Sequence, residues 1–295
     1  MKKFVLIIST ALVMMTACRT EEPEEVQEEE ALTIYTADTG EFTMDWFRFG
    51  TGEKTFVILP GLSVQSVMGS AEAIESAYSD FCEDYTVYVF DRRKELPQTY
   101  TIEQMASDTA EVFRMLSLHD VCLFGASQGG MIAMVIAMDD PELVSDLVLG
   151  STQACTGRIL EETLDEWIRA AQEGDAQGLY ASFGKKVYPE GYYEQYEAAF
   201  TAAAQTVTAE DLERFPVLAG SMYGFDVTDR LKEIQCPVLF LRAEDDAVLG
   251  PDAGMETVSV LESREDCRIM VYNGYGHAAF DLAPDYKQNI LEFLK

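Results

Sequence analysis

The sequence predicts an α/β protein: a mostly parallel central sheet flanked by helices, with a helical insertion late in the chain. Three observations carry this. Short continuous apolar runs alternate with stretches of helical periodicity. Glycine, proline and aspartate bound several of those runs, as expected for strands buried on both faces. The alternation stops between about Ser151 and Asp229, where only helical spacing is found.

Taken in order, Leu32-Thr33-Ile34-Tyr35 and Met44–Phe49 read as two strands around the turn signal Asp38-Thr39-Gly40. Thr55–Leu59 is a buried strand ended by Pro60-Gly61, and Tyr85–Phe90 is another, stopped by Asp91. Thr101–Leu118 has helical periodicity through Met105, Val112, Phe113 and Leu116. Val121–Phe124 is a strand, Met131–Met138 an apolar helix stopped by Asp139-Asp140-Pro141, and Leu147–Leu149 the sixth strand. The insertion follows, with helical spacing at Leu160, Leu164, Trp167, Ile168 and Ala171 and again at Tyr193, Tyr196 and Phe200. Thr208 with Asp211 resembles a capping box. Val238–Leu241 and Arg268–Tyr272 are the last strands, and an amphipathic helix over about Pro284–Leu294 closes the chain. The segments 31–150 and 229–295 thus form one core, and 151–228 the insertion.

The 295 residues carry 52 acidic against 21 basic side chains, a net charge of −31. The first thirty hold three basic and seven acidic residues, so the folded part is itself strongly acidic. Such a surface repels phosphate backbones and argues against nucleic acid as a partner. Apolar residues make up 48%, enough for a packed core. Five cysteines lie beyond residue 30, an odd number without metal-type spacing. Cys122 and Cys236 sit in or beside apolar runs and read as core residues. With only two histidines, no zinc site is expected.

Met1-Lys2-Lys3 is a basic start, followed by an apolar run from Phe4 to about Met15 that is too short to span a bilayer comfortably. This is the layout of a secretory signal. The run ends Met15-Thr16-Ala17-Cys18, which resembles the lipobox of bacterial lipoproteins, with Met15 where that family usually has leucine. The resemblance implies that residues 1–18 are a signal peptide, cut so that Cys18 becomes a lipidated first residue. The protein is then expected outside the cytoplasm, held at a membrane by an N-terminal lipid anchor. Ordinary signal cleavage and an uncleaved anchor are the competing readings. Residues 19–30 are dense in glutamate and are expected to form an extended, disordered linker.

The chemistry is concentrated in Gly125-Ala126-Ser127-Gln128-Gly129, a G-x-S-x-G string between a strand and a helix. In that context it is a nucleophile elbow. A side chain at Gly125 or Gly129 would clash with the neighbouring strand or helix, and Ser127 is lifted over a helix N-terminus that favours an anionic intermediate. A serine hydroxyl needs a base. His119 precedes the nucleophile strand, at its far end from the elbow, whereas His277 follows the last strand directly. Strand ends of that polarity face the site in open α/β sheets. The base needs a carboxylate to fix its tautomer, and Glu244, Asp245 and Asp246 follow the strand Val238–Leu241.

On these residues the chain from about 31 to 295 is identified as a member of the α/β-hydrolase superfamily in its single-chain form with a helical cap. The resemblance implies the α/β-hydrolase fold, with residues 151–228 as the cap. The family's acid usually stands three residues after a small residue, here Ala243, which selects Asp246. Gly276-His277 matches the catalytic histidine segment. Leu59-Pro60-Gly61-Leu62 resembles the oxyanion loop, with Pro60 where histidine is commoner, and implies Leu62 and Gln128 amides as the oxyanion hole. Asp91-Arg92-Arg93 also fits a family segment but lacks its glycine-rich continuation. The implied function is a serine hydrolase acting on a small-molecule acyl substrate, a carboxylic ester foremost, with no cofactor and no metal. An aminopeptidase or lactonase of the same fold and a non-catalytic surface binding protein are the alternatives. Trp167, Tyr180, Phe183, Tyr188, Tyr192, Tyr193 and Tyr196 are the cap aromatics from which a pocket wall could be drawn. Oligomeric state has no signal in the sequence.

Overall fold

The structure is a computed structural model and describes residues 32–295. Cys18, the apolar run before it and the acidic linker lie outside the described residues.

Eight strands among the described residues form one sheet: β1 (Tyr35–Asp38), β2 (Thr43–Phe49), β3 (Lys54–Leu59), β4 (Tyr85–Arg93), β5 (Val121–Ala126), β6 (Val144–Gly150), β7 (Val238–Ala243) and β8 (Cys267–Tyr272). Their spatial order is β1-β2-β4-β3-β5-β6-β7-β8. β1 and β2 run antiparallel, as do β2 and β4, and every later pairing is parallel. The order reverses at β3, whose neighbours are β4 on one side and β5 on the other. In open parallel sheets a crevice forms at such a reversal, beyond the carboxyl ends of the strands.

All six residues of β5 are buried, which requires apolar cover on both faces. The pleat sends Val57, Leu59 and Leu123 into one core and Phe56, Ile58 and Phe124 into the other. The first core is closed by α2 (Ile102–Met115), α3 (Gln128–Asp139) and α8 (Met255–Leu261). The second is closed by α1 (Ala71–Ala77), α9 (Ala279–Leu282) and α10 (Tyr286–Phe293). Residues 128–138 of α3 are buried without exception, so this helix is apolar all round.

The cap follows β6, the sixth strand, as α4 (Arg158–Gln172), α5 (Ala176–Val187), α6 (Tyr192–Gln205) and α7 (Ala209–Gly220). Capping boxes start α2 at Thr101 with Gln104 and α7 at Thr208 with Asp211. Each cap satisfies orphan helix amides and stabilises its helix by about 1 kcal/mol. α6 kinks at Tyr196, whose backbone leaves the helical region.

Several strand boundaries differ from those the sequence predicts: β6 begins at Val144, three residues before Leu147, and β5 and β7 run on to Ala126 and Ala243. β1 is Tyr35–Asp38, three residues later than the run beginning at Leu32. Its register is fixed by the tight turn, which pairs Asp38 with Thr43 and Tyr35 with Trp46. β4 does not stop at Asp91 but continues to Arg93, where β2 pairs with it at Met44. α1, α5, α8 and α9 have no counterpart among the helices that the sequence predicts.

Candidate active site

β5 delivers Ser127 as the residue between strand and helix, the N-cap of α3, with φ 53° and ψ −121°. A non-glycine residue in this conformation costs roughly 1–3 kcal/mol and persists only where its surroundings hold it. They do. Ser127 N donates to Gly150 O at 2.8 Å, and Ser127 O accepts from Thr152 Oγ1 at 2.7 Å and from the amides of Gly130 and Met131. The side chain is half-buried in a run of otherwise buried residues.

The flanking glycines are needed for space. A Cβ on Gly125 would stand 2.3 Å from Gly129 O, and one on Gly129 would stand 2.0 Å from Leu59 O. Both obstacles are backbone, so neither position accepts a side chain without moving the elbow. At Gly61 an added Cβ would lie 3.1 Å from Ser127 Cβ, which shows how near the loop after β3 comes to the serine.

His277 follows β8 and is 4% exposed; Asp246 follows β7 and is 3% exposed. Their side chains meet at 2.7 Å, His277 Nδ1 to Asp246 Oδ2. Asp246 Oδ1 accepts the amides of Val248 and Leu249 at 2.9 and 2.8 Å. The carboxylate is thus fixed on one side by backbone and left to hold the imidazole on the other. Asp245 is exposed and accepts the Gly276 amide at 3.1 Å instead. His119 is exposed and contacts Asp120, away from the site.

Ser127 and His277 line one cavity of about 220 Å³ between the sheet and the cap. The Ser127 hydroxyl has no hydrogen-bond partner among the described residues. Neither do the amides of Leu62 and Gln128, the latter at the first position of α3, where no intrahelical acceptor exists. Leu62 lines the cavity. Of the cap aromatics, Trp167, Tyr180, Phe183 and Tyr188 line it, joined by Phe200; Tyr192, Tyr193 and Tyr196 do not. Leu160, Met222, Val248 and Phe280 complete apolar walls. Asp281, one helical turn beyond His277, brings a carboxylate to the wall and accepts from Tyr188 at 3.4 Å.

The described cysteines carry free thiols. Burial pushes the Cys122 thiol up to about 12 and those of Cys236 and Cys267 to about 11. No described cysteine lines the cavity that Ser127 and His277 share. Among the described residues no group of three His, Cys, Asp or Glu side chains converges to hold a metal.

The family model described as the alpha/beta hydrolase family matches residues 56–286. The chain belongs to the α/β-hydrolase family. This hydrolase is 24% identical over 258 residues to RutD of Rhizobium rhizogenes, provisionally named a carbamate hydrolase, covering 82% of this chain and 93% of that one. It is 25% identical over 203 residues to the proline iminopeptidase of Lactobacillus delbrueckii subsp. bulgaricus, covering 61% and 67%. An α/β-hydrolase enzyme from a Medee basin deep-sea metagenome library superposes on it with a TM-score of 0.77 at 20% identity, over 89% of this chain and 97% of that one. The likeness to that structure establishes the fold.

Proposed function

We propose that the hydrolase cleaves carboxylic esters through an acyl-enzyme on Ser127. The observation that carries this reading is the buried His277–Asp246 hydrogen bond at 2.7 Å, beside a cavity that also receives a serine held at positive φ. In the neutral imidazole, Nδ1–H donates to Asp246, which leaves Nε2 as the base. His277 removes the Ser127 proton as Oγ attacks the acyl carbon. The carbonyl π-pair moves onto oxygen, which the Leu62 and Gln128 amides stabilise. Collapse of the tetrahedral intermediate breaks the bond to the alcohol, which leaves with the proton from His277. Water, deprotonated by His277, then releases the acid and restores the hydroxyl.

Apolar, largely aromatic walls and a volume of about 220 Å³ favour a small or medium acyl group. One observation favours a second reading. Asp281 places a carboxylate on the wall, where the ammonium of an aminoacyl substrate would be attracted, and one relative is named a proline iminopeptidase. A panel of p-nitrophenyl acetate, butyrate and octanoate, a γ-lactone and proline p-nitroanilide separates these. The butyrate ester is expected to have the highest kcat/KM. Turnover confined to the anilide would replace the ester reading with the aminopeptidase one.

We also propose that the enzyme works outside the cytoplasm, tethered through Cys18. The supporting feature is the basic, apolar and small-residue order ending at that cysteine. Radiolabelled palmitate fed to cells is expected to label the full-length protein and not Cys18→Ala. No label on the wild type would remove the lipid anchor, and equal labelling of both would move it off Cys18.

A further inference from the structure

The extension of β4 to Arg93 places Asp91 and Arg92 against the loop that carries Leu62. Asp91 accepts a short hydrogen bond from Ser66 Oγ, at the far end of that loop. Arg92 Nη2 donates to Pro60 O, at its near end, at 2.7 Å. The same nitrogen lies 3.2 Å from Gln128 Oε1. Gln128 Nε2 donates in turn to Leu218 O at 2.7 Å and Ser221 Oγ at 3.1 Å, at the end of α7. One guanidinium therefore ties the segment bearing the Leu62 amide to the residue bearing the Gln128 amide.

Arg92 is an unusual side chain to spend on this task. It is 6% exposed, its Nε has no partner, and the two acceptors of its Nη2 are neutral. Burial pushes its pKa down against the opposing influence of Asp91. A desolvated charge is costly, and a buried apolar residue at the end of β4 would avoid that cost. Pro60 has no amide hydrogen and Gly61 has no side chain, so this end of the loop offers few groups to hold. Arg92 holds it by the Pro60 carbonyl.

We infer that Arg92 is a positioning residue that sets the spacing of the Leu62 and Gln128 amides and so shapes the oxyanion site. This rests on the Ser127 reading above. Arg92 touches neither substrate nor reacting atoms; it acts through the two segments it joins. Displacement of a preorganised donor by about 1 Å costs on the order of 10²-fold in rate. Because the loss falls on a charge that develops in the transition state, it belongs in kcat rather than KM.

The test uses Arg92→Met and Arg92→Lys in the full-length enzyme. Competent serines are counted by end-point labelling with a fluorophosphonate, and turnover is expressed per labelled serine. Arg92→Met is expected to lower kcat per labelled serine by about 10²-fold with KM little changed. An aryl trifluoromethyl ketone, whose serine adduct bears an oxyanion, should bind more weakly by the factor lost in kcat/KM. Arg92→Lys keeps the charge but not the planar fork and should recover part of the rate. Wild-type turnover per labelled serine, with loss confined to the labelled fraction or to thermal stability, overturns the inference and leaves Arg92 as scaffolding. If Arg92→Met does not fold, the same comparison on Arg92→Lys decides. Activity surviving in Ser127→Ala would instead remove the underlying reading, whatever the Arg92 variants do.

Discussion

Replacing Ser127 with alanine is expected to lower turnover by about 10⁴–10⁶-fold, with His277→Ala in the same range. The two effects should not add, because the serine is a weak nucleophile without its base and the base has no task without the serine. Ser127→Ala removes one oxygen that has no hydrogen-bond partner among the described residues and faces the cavity. The bonds that the Ser127 main chain makes with Gly150, Thr152, Gly130 and Met131 remain, so the melting temperature should stay close to that of the parent. Steady-state rates on the best ester, with thermal unfolding as a control, check both parts. A Ser127→Ala enzyme within tenfold of wild type (a factor far smaller than the expected loss) would end the acyl-enzyme reading.

Asp246→Asn is expected to reduce kcat by about 10⁴-fold while the fold survives. An asparagine oxygen can still accept the Val248 and Leu249 amides. The amide nitrogen then faces His277 Nδ1 as a donor, where the carboxylate accepted. The imidazole must turn Nδ1 into the acceptor and carry its proton on Nε2. A protonated Nε2 cannot take the serine proton. Asp245→Asn is the control: its carboxylate is exposed and holds the Gly276 amide, so its loss should leave kcat nearly unchanged. Parallel kcat measurements on the two variants check the assignment, and damage confined to the Asp245 variant would reverse it.

The glycines beside Ser127 are legible in the sequence because they answer a local requirement. A strand must turn abruptly into a helix, and backbone oxygens at 2.3 and 2.0 Å admit only glycine there. The choice between Asp245 and Asp246 had no such signal in composition or spacing; it came from family resemblance. In the structure the distinction is one of direction, one carboxylate turned inward and its neighbour out to solvent. α8 was illegible because Thr257, Val258 and Val260 carry the β-branched character of a strand. α1 has only Ala71 and Ile74 buried, too few to show a period. The end of β4 was hidden for a related reason. Asp-Arg-Arg looks like a solvated stop, and what keeps it in the sheet is a partner from β2 and a carbonyl from another loop. Contacts between segments far apart in the chain leave no periodicity, so Arg92 drew no attention beyond its fit to a family segment.

The chain has two tryptophans. Trp46 lies on β2, stacked on Tyr35 at 4.7 Å, outside the cavity wall. Trp167 lies in the wall, stacked on Phe183 at 3.9 Å, with its Nε1 donating to Ser182 Oγ at 3.0 Å. A Trp46→Phe background therefore leaves a single indole at the chamber, and indole emission responds to the polarity and stacking of its surroundings. The protein contains its own optical gauge of occupancy. Compounds that give no colour and undergo no turnover can be titrated against it, so the shape that the cavity prefers can be mapped without following a reaction.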